Sequence, residues 1–203
     1  TEALGQVADA FYGEPTGDVA LMAVTGTNGK TTVAWLLEHI LRETGAEPGL
    51  LGTVETRFAG QRLEATHTTP PSHQLHGLVA RMRDAGCDHV LMEASSHGLE
   101  QGRLAGARVA VAGYTNLSRD HLDYHGTMEA YAQAKARLFD EFAQKACFHV
   151  GDATGQSFAD AFDGDGLTVA IDRPEADLWI EDLVLDLQGC RGRLHHGDGA
   201  LPW

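Results

Sequence analysis

The chain has 203 residues, 43% of them apolar, with 24 glycines, which suits one sizeable α/β domain rich in turns and excludes a disordered polymer. Its formal net charge of −14, with no basic stripe carrying interleaved aromatics, argues against a nucleic-acid partner. No apolar run reaches the roughly 18 residues of a membrane span, so no membrane partner is expected.

Thr1-Glu2-Ala3 opens no basic-then-apolar signal, so nothing marks export. Cys87, Cys147 and Cys190 are dispersed and form no C-x-x-C, which points to reduced thiols in core positions of a cytoplasmic protein. Among the 11 histidines, His67, His73, His76, His195 and His196 lack Cys or His partners at zinc-site spacing, and are expected on the surface or in loops.

In chain order, residues 1–17 read as a short helix around Leu4 to Phe11 and a Gly-Glu-Pro-Thr-Gly turn, a connector and not a domain. Ala20-Leu21-Met22-Ala23-Val24 is a short apolar run of strand length. After the segment Thr25-Gly26-Thr27-Asn28-Gly29-Lys30-Thr31-Thr32, Val33, Leu36, Leu37, Ile40 and Leu41 recur at helical spacing, and Gly45 sits where a C-cap belongs. A strand at residues 49–53 precedes a hairpin over 53–65 that turns at Ala59-Gly60. Ser72 is a candidate N-cap for a helix with Leu75, Leu78, Val79 and Met82 on its apolar face, closed by Gly86. Strands follow at 89–93 and 109–114, each running into a polar segment. Thr127 caps a helix from Met128 to about Phe142, with Tyr131, Ala134, Leu138 and Phe142 on one side. Strand–helix–strand alternation continues through 147–150, 158–162 and 167–171, and an antiparallel hairpin around Gln188-Gly189 pairs 178–187 with 190–194.

Strand, glycine loop, Lys-Thr and helix is the layout of a phosphate-binding loop. Backbone N–H groups and a helix N-terminus face an anion, a lysine reaches the outer phosphates, and a hydroxyl reaches Mg²⁺. The common spacing G-x-x-x-x-G-K-[ST] is not met: Val24 stands where its first glycine belongs, and only Thr27 and Asn28 separate Gly26 from Gly29-Lys30. A plain Gly-Asn turn is the structural alternative. Glu93, ending an apolar strand, suits a carboxylate holding Mg²⁺ beside the Thr31 hydroxyl, the alternative being an acid at the sheet mouth capped by the serines after it. Taken alone, His121 reads as a loop histidine and Lys135 as a solvated helix residue. Repeated strand–helix units predict an α/β fold with a mostly parallel, doubly wound sheet. Ligands in such sheets bind beyond the carboxyl ends of the strands, where the polar motifs after Val24, Met92 and Tyr114 would meet.

Five segments occur in order: Thr25 to Thr32; His67-Thr68-Thr69-Pro70; Glu93-Ala-Ser-Ser-His-Gly-Leu-Glu-Gln-Gly-Arg103; Thr115-Asn-Leu-Ser-Arg-Asp-His-Leu-Asp-Tyr-His-Gly-Thr127; and Tyr131-Ala-Gln-Ala-Lys-Ala-Arg-Leu-Phe139. Together they resemble the ATP-dependent Mur ligases, in particular the MurE type that acts on UDP-N-acetylmuramoyl-L-alanyl-D-glutamate. The resemblance runs from about Phe11 to Phe139 and weakens from Cys147 onward. It implies a P-loop NTPase-like central domain over residues 19–203, cut before its final elements. Residues 1–18 would connect it to an N-terminal domain, and a C-terminal domain is expected to be missing. Gly26, Thr27, Asn28, Gly29, Lys30, Thr31 and Thr32 would cradle ATP, with Asn116 a further nucleotide contact. Lys30, Glu93, His121 and Lys135 are the implied catalytic residues. Thr31 and Glu93 would hold one Mg²⁺. His121 and Lys135 would serve a second, the lysine being carbamoylated by CO₂ in this family. That modification needs an unprotonated amine, so Lys135 is expected to be partly buried with a lowered pKa. Thr68, Thr69, Ser95, Gln101 and Arg103 match positions that bind the UDP-muramoyl-dipeptide substrate, and an arginine suits its carboxylate or phosphate.

In the implied reaction the substrate's terminal carboxylate attacks the γ-phosphate, giving an acyl phosphate and ADP. The amine of an amino acid then displaces phosphate and forms a peptide bond. Two anions must approach each other, so Lys30 and Mg²⁺ serve mainly to neutralise and align charge. The family's Asn-Ala-Asp-Asp-like segment is replaced by His149-Val150-Gly151-Asp152, and ligation by this chain alone is not expected. Three other readings stay open. One is a ligase of the folylpolyglutamate- or cyanophycin-synthetase kind, and another is a nucleotide-binding module without turnover. The third is a P-loop GTPase or kinase, for which Asp152-Ala-Thr-Gly155 offers D-x-x-G but no N-K-x-D exists.

Overall fold

The computed structural model describes residues 2–187, 189–197 and 199–202. Helix α1 (Glu2–Phe11) leads through a 3₁₀ turn (Pro15–Gly17) into β1 (Ala20–Thr25), the glycine loop and α2 (Lys30–Glu43). Then come β2 (Pro48–Leu51), β3 (Glu55–Phe58), β4 (Gln61–Glu64), α3 (Ser72–Asp84), β5 (His89–Glu93), α4 (Ser96–Glu100) and β6 (Val109–Tyr114). The chain continues with α5 (Leu122–His125), α6 (Met128–Arg137), β7 (Ala143–His149), α7 (Ala153–Ala161), β8 (Asp165–Ile171), β9 (Leu178–Asp186), β10 (Gly189–His196) and β11 (Gly199–Pro202).

All strands join one sheet in the order β11-β10-β9-β8-β7-β6-β1-β5-β2-β3-β4. From β2 to β9 every neighbouring pair is parallel, and each edge is finished by antiparallel strands. The mostly parallel α/β architecture expected from the alternation is present. Along β1 and β5 successive side chains enter opposite layers, as the strand pleat requires. Leu21, Ala23, Val90 and Met92 join the large core under α3, α4 and α7, while Met22 and Leu91 join a smaller one under α2. The β1 to β2 crossover reverses direction relative to the later ones, so right-handed connections put α2 on the opposite face from them. Val24 lies opposite Glu93 across the β1–β5 pair and Gly113 across the β1–β6 pair, which aligns the carboxyl ends of β1, β5 and β6.

The β3–β4 hairpin turns at Ala59-Gly60, both with positive φ, as a two-residue turn between twisted strands demands. The β9–β10 pairing is also antiparallel, although Gln188 of its expected turn lies outside the described residues. Several local expectations are corrected. Leu36 and Ile40 of α2 point to solvent, and the buried side carries Ala34 and Glu38 with Leu37 and Leu41 beside them. The small Ala34 lets α2 close on Leu50 and Leu91, and Glu38 tolerates burial because Arg42 and Arg57 both donate to its carboxylate. Ser72 is the first helical residue of α3 and Pro71 stands at the N-cap, with no side-chain cap. The helix from Met128 loosens to a π-turn over Leu138–Phe142, and β7 begins earlier than the apolar run suggests. Helices α4 and α5 and strand β11 were not expected. His76 is fully buried on α3, with Nε2 2.9 Å from Ala105 O and Nδ1 3.3 Å from Asp9 Oδ1 without a hydrogen bond between the latter two, so it is no surface histidine. Cys87 is buried, but Cys190 is exposed and not a core residue.

Candidate active site

The glycine loop owes its shape to two positions that L side chains rarely adopt. Gly26 has φ +147°, and a Cβ there would sit 1.9 Å from Thr115 Oγ1. Gly29, at φ +88°, is the N-cap of α2. The loop after β6 latches it from above: Asn116 Oδ1 accepts from Asn28 N at 3.1 Å, and Asn116 Nδ2 donates to Asn28 O at 3.0 Å. Thr115 Oγ1 donates to the same carbonyl at 2.7 Å, and Thr27 N donates to Asn116 O at 2.8 Å. Thr32, one turn further on, is exposed.

At the mouth of the loop the Thr31 hydroxyl donates to Glu93 Oε2 at 2.8 Å. Thr53 supplies a second hold: its N–H donates to Oε1 at 2.8 Å, and its hydroxyl lies 3.0 Å from Oε2. Gly52 makes this possible, since a Cβ there would lie 2.9 Å from Glu93 Oε1. Glu93 is 1% exposed, so its carboxylate is fixed by donors and not by water. A hydroxyl and a carboxylate are hard oxygen donors, which fits Mg²⁺.

Lys30 folds back on its own loop, donating to Gly26 O at 2.8 Å and Thr27 O at 3.0 Å. Burial lowers its ammonium below the ordinary lysine range, with Glu93 and Asp120 opposing. Lys135 points to the same place, donating to Gly26 O at 3.0 Å. Only 1% of it is exposed, and burial, helped by the nearby Lys30 charge, brings it down to about 7. His121 stands at φ +51° at the N-terminus of α5, about half exposed, with Asp120 Oδ2 3.5 Å from its Nε2. Its ring is edge-on to His97 at 4.9 Å and to Tyr131 at 6.0 Å. His121 and Lys135 are thus joined through the Tyr131 ring, on whose face the Lys135 ammonium rests at 4.3 Å. An imidazole and an ammonium do not fit a second Mg²⁺ as they stand; oxygen donors from a carbamate would be needed. Among the described residues no group of three or more His, Cys, Asp or Glu side chains is arranged to hold a metal.

The remaining expected residues form a second cluster beside Glu93. The Thr69 hydroxyl, fully buried, donates to Glu93 O at 2.9 Å and accepts from Ser95 N at 2.9 Å. Ser95 caps α4 by accepting from Gly98 N, and Thr68 Oγ1 lies 3.0 Å from the Thr53 hydroxyl. Arg103 donates to Thr69 O at 2.6 Å and grips Gln101 Oε1 with Nε and Nη2, while Gln101 donates to Tyr124 OH. Apart from Gly29, which shapes the loop as the N-cap of α2, and the exposed Thr32, the expected positions therefore take part in connected contacts at the carboxyl ends of β1, β5 and β6.

Sequence reasoning missed Thr53, Tyr131 and Asp152. Thr53 had a usable signal, a polar residue directly after an apolar strand. Tyr131 was legible as part of an apolar helix face and as the head of the fifth segment, but with no role of its own. Asp152 is the N-cap of α7, and its carboxylate also accepts from Tyr114 OH at 3.0 Å and Leu117 N at 3.1 Å. The departure at residues 149–152 thus leaves an acid that anchors the latch loop.

A parallel sheet with a glycine loop between β1 and α2, and a hydroxyl–carboxylate pair at its mouth, defines a P-loop-type α/β protein. Residues 24–201 match the Mur ligase middle domain, and the chain belongs to the Mur ligase family. It is 42% identical over 205 residues to the UDP-N-acetylmuramoyl-L-alanyl-D-glutamate--2,6-diaminopimelate ligase of Parasynechococcus marenigrum (strain WH8102), a match covering 98% of this chain and 41% of that protein. A solved structure of a ligase of the same name superposes with a TM-score of 0.86 at 33% identity, covering 99% of this chain and 43% of that one. The folylpolyglutamate synthase of Mycobacterium tuberculosis, solved with ADP and AMPPCP, shares the fold at a TM-score of 0.74 and 15% identity, over 100% of this chain and 53% of its own. The chain spans about two fifths of the length of the curated relatives it matches.

Proposed function

We propose that this chain is the ATP- and Mg²⁺-binding middle part of a cytoplasmic ligase of peptidoglycan precursor synthesis. That ligase adds an amino acid to UDP-N-acetylmuramoyl-L-alanyl-D-glutamate, and the relatives' names favour 2,6-diaminopimelate as the amino acid. The carrying observation is the Thr31–Glu93 pair, 2.8 Å apart, set at the mouth of a loop whose two glycines hold positive φ. Bound Mg²⁺ at that pair would neutralise and align the phosphates of ATP. A second Mg²⁺ belongs to this reading only with Lys135 carbamoylated.

The chain's own groups then have definite tasks. Lys30 gives up its loop carbonyls for the outer phosphates and offsets their charge. Thr53 and Thr31 hold the Glu93 carboxylate in one orientation. Arg103, aligned by Gln101, presents a guanidinium to an anionic group of the muramoyl-peptide. With Thr68, Thr69 and Ser95 it steers the substrate carboxylate toward the γ-phosphate. Attack there forms the acyl phosphate and releases ADP; the incoming amine then takes the acyl group, phosphate leaves, and the amine loses its proton. Ligation requires the parts of the enzyme that lie outside this span, so the chain alone is expected to bind nucleotide without forming a peptide bond.

Calorimetric titration of Mg·ADP into the chain tests the reading. The wild type should bind, and Lys30→Ala should weaken binding by about tenfold or more, the worth of a charge-assisted contact. Affinity unchanged by Lys30→Ala would remove the phosphate-loop assignment.

A further inference from the structure

Helix α6 touches the glycine loop at two successive residues, through two side chains one turn apart. Tyr131 and Lys135 share a helix face by their i, i+4 spacing. Lys135 takes the carbonyl of Gly26, and the Tyr131 phenol lies 3.2 Å from the Thr27 hydroxyl. Tyr131 is 1% exposed, so its O–H needs a protein partner. Thr27 has one hydroxyl proton, directed to Ser118 O at 3.3 Å, while its oxygen accepts from Ser118 N at 3.0 Å. The phenol is therefore the donor to Thr27. Its ring also carries the Lys135 ammonium on its face, and His125 packs against it at 5.0 Å between centroids.

We infer that Tyr131 is a positioning residue, a strut that fixes the glycine loop against the helix bearing Lys135 through its hydroxyl and sets the place of the Lys135 amine through its ring. The inference rests on the nucleotide-binding reading above. Its consequence is specific. A carbamate on Lys135 would replace the ammonium that now donates to Gly26 O. The Tyr131–Thr27 contact would then be the part of the α6 grip that keeps its present form.

The test uses Tyr131→Phe, Tyr131→Leu and Thr27→Val in the same chain, with Mg·ADP as ligand. Tyr131→Phe should lower the thermal transition by roughly 2–4 °C, because the contact is already made without ligand. It should also raise the dissociation constant about threefold to tenfold, because the loosened loop must be ordered on binding. Adding Tyr131→Phe to Thr27→Val should cost little more, because both remove one contact. Proton NMR should show the Lys135 ε-methylene shifted upfield by the ring in wild type and Tyr131→Phe, and the shift lost in Tyr131→Leu. Full additivity with Thr27→Val, or Tyr131→Phe binding Mg·ADP like wild type, overturns the inference while leaving the nucleotide reading intact. A wild-type chain that does not bind Mg·ADP overturns both.

Discussion

At the carboxyl ends of β1, β5 and β6, buried and half-buried polar groups meet in pairs: Glu93 with two threonines, Thr69 with the strand and the next loop, and the buried Lys135 and half-buried Lys30 with one carbonyl. The buried Thr25 hydroxyl is an exception, with no hydrogen-bond partner among the described residues. The wing formed by β9 and β10 is the opposite case. Its described side chains are exposed or half-buried, and it is held by backbone pairing, the stacked Trp179 and His195 rings at 3.9 Å, and surface ion pairs such as Arg193–Glu181. Buried polar contacts are specific, because each unpaired group would pay its full desolvation cost. Exposed ones are replaceable by water. The difference says where the chain can change and where it cannot.

The sharpest way to break the contrast is Gly26→Ala. The new methyl would overlap Thr115 Oγ1 in a backbone region costly to L residues, so unfolding free energy should fall by about 1–3 kcal/mol and Mg·ADP binding should be lost. Denaturant melts and calorimetry read both; a variant that binds normally would show that the loop is not set by Gly26.

A smaller effect comes from Lys135. Its folded pKa of about 7 lies below the ordinary 10.5, so between those values the unfolded chain binds more protons than the native one. Stability should therefore rise with pH through that window, and the penalty should be complete below about pH 7. In CO₂-free buffer Lys135→Met should flatten the rise, as followed by urea titrations at several pH values. Lys30, shifted the same way, leaves a residual slope.

Smallest is the wing. Arg193→Ala removes exposed ion pairs with Glu181 and Asp182 and should alter stability by no more than about 0.5 kcal/mol, with Mg·ADP affinity unchanged. A larger loss in a melt would mean that the wing is coupled to the site.

What the sequence determined by itself was local. The glycine loop with its strand and helix, the cap at Thr127, the Ala59-Gly60 turn, the strand–helix alternation and the acid ending β5 depend on backbone sterics and on spacings of two to four residues. The same short-range pattern could not tell which side of α2 is buried, nor that Glu38 and His76 lie inside, because helix rotation is set by the partners it meets. Nor could it place Thr53 on Glu93, 40 residues away, or Tyr131 on Thr27, 104 away. Those contacts come from sheet register and from the seat of α6 against the loop. The loop's shape is thus written in Gly26 and Gly29, whereas its surroundings, with two lysines, a phenol and a clamped carboxylate, exist only once distant strands align, since burial of a polar group is decided by whether the fold brings it a partner.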